Sequence, residues 1–309
     1  MTFRPSRARG ISYGLLATLL FGLNASTSHV MVAAGIDPII LVIIRTTATA
    51  LICGGILLAT NRQAFTIAPR EWPKFLGLGI VGQALMIWCY TQTVSRIPVG
   101  IALLFEYTTI LMIPLVTWLF FKQRPGRSLW LGIALVMAGL VLVAKIWTAT
   151  LPPLGMVFGF LTAGAVTVYF VIGDRIQLSR DSFSTLFHAM WIASAFWLLV
   201  RRPSIGEWPN PLASVNLHGN LAGINAPMWL MLLWVAIIGS FLPFFLAFSA
   251  LRHLNATAMG VISTSETLFA FLFGWVWLGE TIDGIQTLGG GLVIAGILVA
   301  QLAKKSKAN

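Results

Sequence analysis

Ten apolar blocks of about twenty residues each make up most of this 309-residue chain. A helix of about 20 residues spans the hydrocarbon core of a bilayer, where only helices and closed barrels satisfy their backbone groups. The sequence lacks the alternation over about ten residues that marks a barrel strand. It therefore predicts an all-α integral membrane protein with ten transmembrane helices. The predicted spans are residues 11–33, 38–60, 72–93, 98–121, 128–147, 153–173, 182–200, 228–251, 256–278 and 284–303.

Charge is sparse and unevenly distributed. Only 9% of the residues are charged, and the net charge is +11, which in a soluble chain would favour nucleic acid or other acidic partners. With a cytoplasmic N-terminus and one crossing per block, most cations fall on the cytoplasmic side, as the positive-inside rule requires. These cytoplasmic cations are Arg4, Arg7, Arg9, Arg62, Arg70, Lys74, Lys122, Arg124, Arg127, Arg175, Arg180, Arg252, Lys304, Lys305 and Lys307. We therefore predict an inner-membrane protein with both termini in the cytoplasm and no role for nucleic acid.

Motifs for other chemistry are weak or missing. Cys53 and Cys89 lie in apolar runs without metal-type spacing, which is typical of small buried residues. The run Gly289–Gly296 lies inside an apolar span and favours close helix packing over a nucleotide loop. The connection 201–227 is interpreted as an external irregular segment. No cofactor or metal is predicted.

The two halves of the chain are similar to each other. Residues 96–144 align without a gap on residues 253–301, which places spans 4 and 5 on spans 9 and 10. In this register Leu111, Leu115, Trp118, Gly132, Leu135, Val136, Ala138 and Gly139 meet Leu268, Leu272, Trp275, Gly289, Leu292, Val293, Ala295 and Gly296. Because five helices per half is an odd number, the halves enter the membrane from opposite sides, as in many secondary transporters. The sequence predicts two inverted five-helix repeats, residues 1–148 and 149–309, around a central cavity.

Three motifs resemble a known family. They are Ile97-Pro-Val-Gly-Ile-Ala-Leu-Leu-Phe-Glu106, Leu254-Asn-Ala-Thr with Ser265-Glu266-Thr267, and Trp277-Leu-Gly-Glu-Thr281 followed by Gly289 and Gly296. Their order and spacing resemble the repeated signature of the drug/metabolite transporter superfamily, EamA branch, and most of all its threonine/homoserine-type exporters. The resemblance implies a ten-helix fold with a central cavity and the export of small metabolites or drugs. Thr267 stands where many relatives have proline, so the substrate is not carried over.

Glu106 and Glu266 each stand mid-way along an apolar run. An ionised carboxylate at that depth costs on the order of 2.5–3.5 kcal/mol to insert, so it is usually kept for a function. The spans of Arg45 and Glu106 start on the same side of the membrane, and the two residues lie at similar depths in them. The spans of His188 and Glu266 both start on the other side, and these two residues are also compared by depth. We expect an outer Arg45–Glu106 pair and an inner His188–Glu266 pair. The alternative is that such pairs only anchor helices, or that Arg45 extends to the outer surface.

Polar residues in other spans are candidates for the wall of the cavity. Small hydroxyls more often satisfy nearby backbone groups, and aromatic residues often lie in the membrane interface, so each assignment has a structural alternative. The candidates are Asn24, Ser28 and His29 late in span 1, Gln83, Trp88 and Tyr90 in span 3, and Ser263 one turn before Glu266.

These features predict a secondary transporter that exports amino acids or related amphiphiles by alternating access, with protons as a candidate coupling ion. A glutamate that takes up a proton in one conformation and releases it in the other would couple proton entry to substrate exit. A membrane enzyme would need clustered catalytic groups, but the four histidines are scattered, and a channel would need rings of like charge. A carrier of drugs or other metabolites with the same fold is an open alternative. The oligomeric state, monomer or homodimer, is also open.

Overall fold

The computed structural model describes residues 5–94, 96–97, 99–122, 125–148, 151–279 and 281–302. Within these residues ten helices are long and apolar enough to cross a membrane, which confirms the predicted all-α membrane fold. They are α1 Arg7–Ala33, α2 Pro38–Thr60, α3 Trp72–Thr93, α4 Gly100–Phe121, α5 Arg127–Ala144, α6 Pro153–Gln177, α7 Ser182–Arg201, α8 Met228–Leu251, α9 Ala256–Leu278 and α10 Gly284–Gln301. The predicted cations Arg4, Arg124, Lys304, Lys305 and Lys307, and the motif residues Pro98 and Glu280, lie outside the described residues.

Successive helices run in opposite directions, so the connections alternate between two ends of the bundle. We call the end where α1 begins and α10 ends the terminal end, and the other the distal end. At the terminal end the Ser6 amide donates to His253 Nδ1 at 3.1 Å, and at the distal end Lys145 pairs with Asp283. Which end faces the cytoplasm stays a prediction.

Side-chain caps fix where three of the helices begin. The Asp37 carboxylate accepts from the Ile39 and Ile40 amides at 2.7 and 3.2 Å before α2. Asp181 accepts from the Ser184 amide at 2.9 Å before α7, and Asn255 caps α9 in the same way. These caps satisfy amides that lack a partner in the first turn. They set the register of the helices that carry Arg45, His188 and Glu266.

Helices α5 and α10 meet backbone to backbone along glycines, as the glycine run predicts. A Cβ on Gly139 would stand 2.6 Å from the Gly289 carbonyl oxygen, and one on Gly132 would stand 2.7 Å from the Gly296 carbonyl oxygen. In the register that lays residues 96–144 on residues 253–301, Gly132 matches Gly289 and Gly139 matches Gly296. Each of the two contacts therefore maps onto the other when the halves are exchanged.

Other helix contacts also map onto one another when the two halves are exchanged. Helix α2 packs against α7, and α7 is the helix that corresponds to α2 in the other half. Helix α1 packs against α8 and α9, and the corresponding helix α6 packs against α3 and α4. A two-fold relation between the halves requires pairs of contacts of this kind.

Two central helices are interrupted within the membrane. Helix α4 consists of the segments Val99–Glu106 and Thr109–Phe121, and α9 breaks at Thr264 between Ala256–Ser263 and Ser265–Phe273. In the repeat register the break at 107–108 falls on residues 264–265. Irregular backbone at membrane depth is tolerated where protein or a water-filled cavity surrounds it. The apolar pattern does not predict these breaks.

Wider π-helical turns occur in three of the helices. They comprise Gly77–Leu85 in α3, Ile237–Phe241 in α8 and Gly274–Leu278 in α9. A π-turn displaces the regular backbone bonds and is frequent at functional sites. Those in α3 and α8 lie in corresponding helices of the two halves.

The connection between α7 and α8 is more ordered than the sequence predicts. It contains a two-stranded antiparallel sheet of β1 Ser214–Asn216 and β2 Asn225–Pro227, with Val215 opposite Ala226. Single 3₁₀ turns occur at Ile205–Glu207 and Gly219–Leu221 in this connection, and at Arg62–Phe65 and Ile146–Thr148 elsewhere. The interpretation of this connection as wholly irregular was therefore wrong.

Candidate functional site

Each of the two membrane glutamates lies at one of the two helix breaks. Glu106 is the last residue of the first segment of α4, and Glu266 is the second residue of the second segment of α9. Both are half-buried. The hydroxyl of Tyr107, next to Glu106, donates to Glu266 Oε2 at 2.9 Å, and the two carboxylates interact electrostatically. We call Glu106, Glu266 and the groups that act on them the glutamate site.

Three of the chain's four tyrosines interact with one or both of these acids. Tyr90 of α3 interacts electrostatically with both glutamates, and Tyr107 and Tyr169 interact with Glu266. The Tyr169 side chain is buried, and its hydroxyl has no hydrogen-bond partner among the described residues. Tyr107 and Tyr169 were missed at the sequence level. The scarcity of tyrosine, and the position of Tyr107 beside Glu106, were the available signals.

Arg45 lies at the glutamate site but not in the expected pair. Its Nη2 donates to the Gly239 carbonyl oxygen at 2.8 Å, and its charge acts on Glu266. Within the described residues it forms no ion pair with Glu106. Gly239 belongs to the π-turn of α8, where a displaced backbone carbonyl is within reach of a guanidinium. The Arg45–Glu106 pairing was wrong.

His188 lies towards the terminal end and has other partners. Its Nε2 is 2.9 Å from the Ala64 carbonyl oxygen, and its Nδ1 accepts from Trp191 Nε1 at 3.1 Å. This pattern places the proton of the neutral ring on Nε2. His188 is about four residues closer to its helix start than Glu266, or about 6 Å along the helix. The His188–Glu266 pairing was therefore wrong.

The polar residues of α1 differ in their surroundings. Asn24 is buried, and its side-chain oxygen lies against Gly239, beside the Arg45 contact. Ser28 Oγ is 3.5 Å from Asn24 Oδ1. His29 is exposed and has no hydrogen bond among the described residues. Asn24 thus joins the wall that holds Arg45, whereas His29 does not.

The remaining candidates also have distinct environments. Gln83 is completely buried in the π-turn of α3, and neither atom of its amide has a partner among the described residues. The Trp88 ring packs on Phe158 and Trp197, with centroids 5.4 and 6.5 Å away. Ser263 Oγ donates to the Gly260 carbonyl at 2.7 Å, which is the backbone role given above as its alternative.

Two cavities are lined by residues other than Glu106 and Glu266. One of about 320 Å³ lies at the terminal end, lined by polar residues from the start of α7 and the connection after α2. The other, of about 240 Å³, is apolar and lies among α5, α9 and α10. In the described part of the chain, no group of three or more His, Cys, Asp or Glu side chains could hold a metal ion.

Comparisons with known proteins give the family. The model of the EamA-like transporter family matches residues 8–145 and again residues 153–301. The threonine/homoserine exporter RhtA of Escherichia coli is 25% identical over 237 residues, which cover 75% of this chain and 72% of RhtA. The pseudopaline exporter CntI of Pseudomonas aeruginosa is 22% identical over 245 residues, covering 79% and 80% of the two chains.

The fold also matches a solved crystal structure with a TM-score of 0.76 and 19% sequence identity. The match covers 96% of this chain and 98% of the other. At that identity the likeness concerns the fold. With a family match over nearly the whole length, the chain belongs to the EamA-like transporter family and is a multi-pass membrane transporter.

Proposed function

We propose that this protein is a secondary active exporter of small metabolites of amino-acid size. The observation that carries the proposal is the hydrogen bond that joins two helix breaks within the membrane: Tyr107, next to Glu106 in α4, donates to Glu266 in α9. Transporters place substrate and ion sites at such discontinuous helices. Two relatives are exporters by name, one of threonine and homoserine and one of pseudopaline. Both names support the outward direction, and the first supports a solute of amino-acid size.

The proposed mechanism is alternating access between two inverted repeats, residues 1–148 and 149–309. The exchange of the Gly132–Gly296 and Gly139–Gly289 contacts supports a two-fold relation. In this mechanism one half rocks against the other, so that the glutamate site faces each side of the membrane in turn. We place both termini in the cytoplasm on the strength of the cation distribution.

Protons are the proposed coupling ion, and Glu266 is the proposed coupling group. A carboxylate held by a tyrosine hydroxyl and a nearby guanidinium can exchange those contacts for a proton when the helices move. His188 is not part of the proposed coupling site, because both of its ring nitrogens have hydrogen-bond partners towards the terminal end.

A transport assay tests the proposal. A thermal-shift screen of the purified protein against amino acids, polyamines and cationic drugs identifies a ligand, because a ligand of the folded form raises the melting temperature. Uptake of that ligand into inverted vesicles under an imposed pH gradient then measures export. We expect Glu266→Gln to abolish gradient-driven accumulation, whereas Glu207→Gln, an acid in the α7–α8 connection, leaves it intact.

Two results would contradict the proposal. Flux that does not saturate with ligand concentration would indicate a channel instead of a carrier. Full pH-driven accumulation by the Glu266→Gln variant would remove Glu266 from the coupling step.

A further inference from the structure

The glutamate site is short of one positive charge. The groups that act on one another there include two carboxylates, Glu106 and Glu266, and one guanidinium, Arg45. In a medium of low dielectric an uncompensated carboxylate is costly, so charge is neutralised by a partner, a proton or a bound cation. One of the two glutamates is therefore left without a positive charge to balance it.

Glu266 has favourable surroundings. It accepts the hydroxyl of Tyr107 at 2.9 Å, and it is attracted by Arg45. It also lies in the first turn of the segment Ser265–Phe273, where the helix dipole favours negative charge. Three independent features therefore stabilise this carboxylate in the absence of a ligand.

Glu106 lacks each of these features. No hydrogen-bond donor to its carboxylate is found among the described residues, and the charge that acts on it is that of Glu266, which repels it. It ends the segment Val99–Glu106, where the helix dipole favours a cation. The side chain is half-buried, so it is neither hidden in the packing nor open to bulk water.

The aromatic residue that acts on Glu106 and is not fully buried suits an organic cation. Tyr90 interacts electrostatically with Glu106 and is half-buried, and a tyrosine ring can attract an ammonium group. Tyr169 adds a buried hydroxyl without a partner, within electrostatic reach of Glu266. A buried hydroxyl without a partner is unfavourable, and a hydrogen bond to a ligand would offset that cost.

We propose that Glu106 binds the ammonium group of the transported solute and thereby selects solutes that carry a protonated amine. The inference rests on the proposed transport function and assigns different roles to the two acids. Glu106 is the specificity-determining residue, and Glu266 is held by the protein's own groups. Amines and amino acids with a free ammonium group fit the site, whereas N-acylated and purely anionic analogues leave the missing charge unfilled.

Carboxyl labelling tests this inference without any transport step. Dicyclohexylcarbodiimide modifies carboxyl groups in apolar surroundings, and mass spectrometry of peptides distinguishes Glu106 from Glu266. The probes are 2-phenylethylamine, leucinamide and putrescine, and the matched controls are phenylacetate and N-acetylleucine. We expect at least one amine to slow Glu106 labelling about tenfold, which corresponds to about 1.4 kcal/mol, and we expect neither control to slow it.

Variants keep the test specific to the site. Glu106→Gln should remove the protected label, whereas Glu207→Gln, at an acid in the α7–α8 connection, should keep amine protection at Glu106; size-exclusion chromatography verifies that each variant is folded. The inference is overturned if all three amines leave Glu106 labelling unchanged, or if the anionic controls protect equally. It is also overturned if the protection falls on Glu266.

The two proposals can fail separately. Amine protection of Glu106 in a protein that gives no flux in vesicles would contradict the exporter and leave the ammonium site in place. Saturable flux with no amine protection of Glu106 would support the exporter and contradict the ammonium site.

Discussion

The connection after α2 and the connection after α7 hold corresponding places in the two halves, at opposite ends of the bundle, yet they are fastened by different chemistry. We call residues 61–71 the α2–α3 loop and residues 202–227 the α7–α8 loop. The first is held to α7 by the Arg180 side chain, with a further hydrogen bond between His188 and the Ala64 carbonyl. The second is held to α1, α2 and α9 by apolar burial and neutral hydrogen bonds.

Arg180 is the centre of the terminal-end contact. Its Nη2 lies 2.6 Å from Glu71 Oε2 and 2.6 Å from the Thr66 carbonyl oxygen. Its Nη1 donates to the Ala64 carbonyl and to Ser184 Oγ at 3.1 and 3.0 Å. The Arg180 and Glu71 side chains are 14% and 22% exposed, so water reaches the pair and screens it only in part.

Val215 has the corresponding role at the distal end. It is 1% exposed and belongs to a buried apolar cluster with Met31, Ile36 and Ile40 of the first half. The Asn220 side chain donates to the Val276 carbonyl at 3.0 Å, and Trp277 Nε1 donates to the Leu217 carbonyl at 2.9 Å. Both contacts tie the loop to the end of α9.

The difference shows that related halves can use unlike forces at matching places. A contact made by ions responds to pH and salt, whereas a contact made by apolar burial responds chiefly to the volume of the buried group. We therefore expect the Arg180 contact of the α2–α3 loop to respond more strongly to pH and salt than the Val215 contact of the α7–α8 loop.

Replacing Arg180 should have the largest effect. Arg180→Ala removes the charged donor of the Glu71 carboxylate and the donor of the Thr66 carbonyl, whereas the Ala64 carbonyl keeps its contacts with His188 and Ser184. Hydrogen bonds to charged groups contribute about 1.5–3 kcal/mol each. Allowing for partial exposure, we expect the free energy of unfolding to fall by about 3 kcal/mol. Denaturant unfolding in detergent micelles measures this. Arg62→Ala, an exposed arginine at the start of the same loop, is the control, and equal losses in the two variants would contradict the central role of Arg180.

Truncating Val215 should have a smaller effect that does not depend on salt. Val215→Ala removes two buried methyl groups, and each buried carbon contributes about 0.8 kcal/mol, so we expect a loss of about 1–2 kcal/mol. Leu212→Ala is the matched control because Leu212 is 84% exposed in the same loop. The contrast between the two loops would be contradicted if added salt changed the loss of stability in Val215→Ala as much as the loss in Arg180→Ala.

Acid should weaken the terminal end through Glu71. The hydrogen bond from the Arg180 side chain is the main cause that holds the pKa of Glu71 below its ordinary value. A lowered folded-state pKa contributes stability above the unfolded pKa of about 4.3, and this is lost as the pH falls through the folded value. Glu71→Gln should therefore flatten the dependence of the melting temperature on pH in this range. The same change in an Arg180→Ala background should have no such effect, and flattening there would exclude the pair as its origin.

Much of the fold could be predicted because hydrophobic length is written directly in the sequence. All ten helices are present, although α1 begins at Arg7 where residue 11 was expected, and α6 continues to Gln177 beyond residue 173. Helical hydrogen bonding continues past the apolar run into the polar boundary, so hydropathy underestimates helix length. Glu106 and Glu266 could be selected for the same reason, since a lone carboxylate in an apolar run is visible without a structure.

The partners of those side chains could not be predicted. Arg45 binds a carbonyl that a π-turn displaces, and His188 binds a carbonyl of the α2–α3 loop. Tyr107 reaches Glu266 across two helix breaks. Depth along a helix was used to infer the pairs, but pairing also depends on helix rotation and on local departures from regular backbone geometry, which hydropathy does not record.

By itself the sequence determined that the chain crosses a membrane ten times and places two acids within it, because burial of apolar surface and the cost of charge depend on composition along the chain. Only the tertiary structure decided that Tyr107 of one helix break donates to Glu266 at the other, near Arg45, while Glu106 has no donor among the described residues. The physical reason is that a carboxylate in a low-dielectric interior is stabilised by the direction and distance of its neighbours, and these arise from the packing of separate helices.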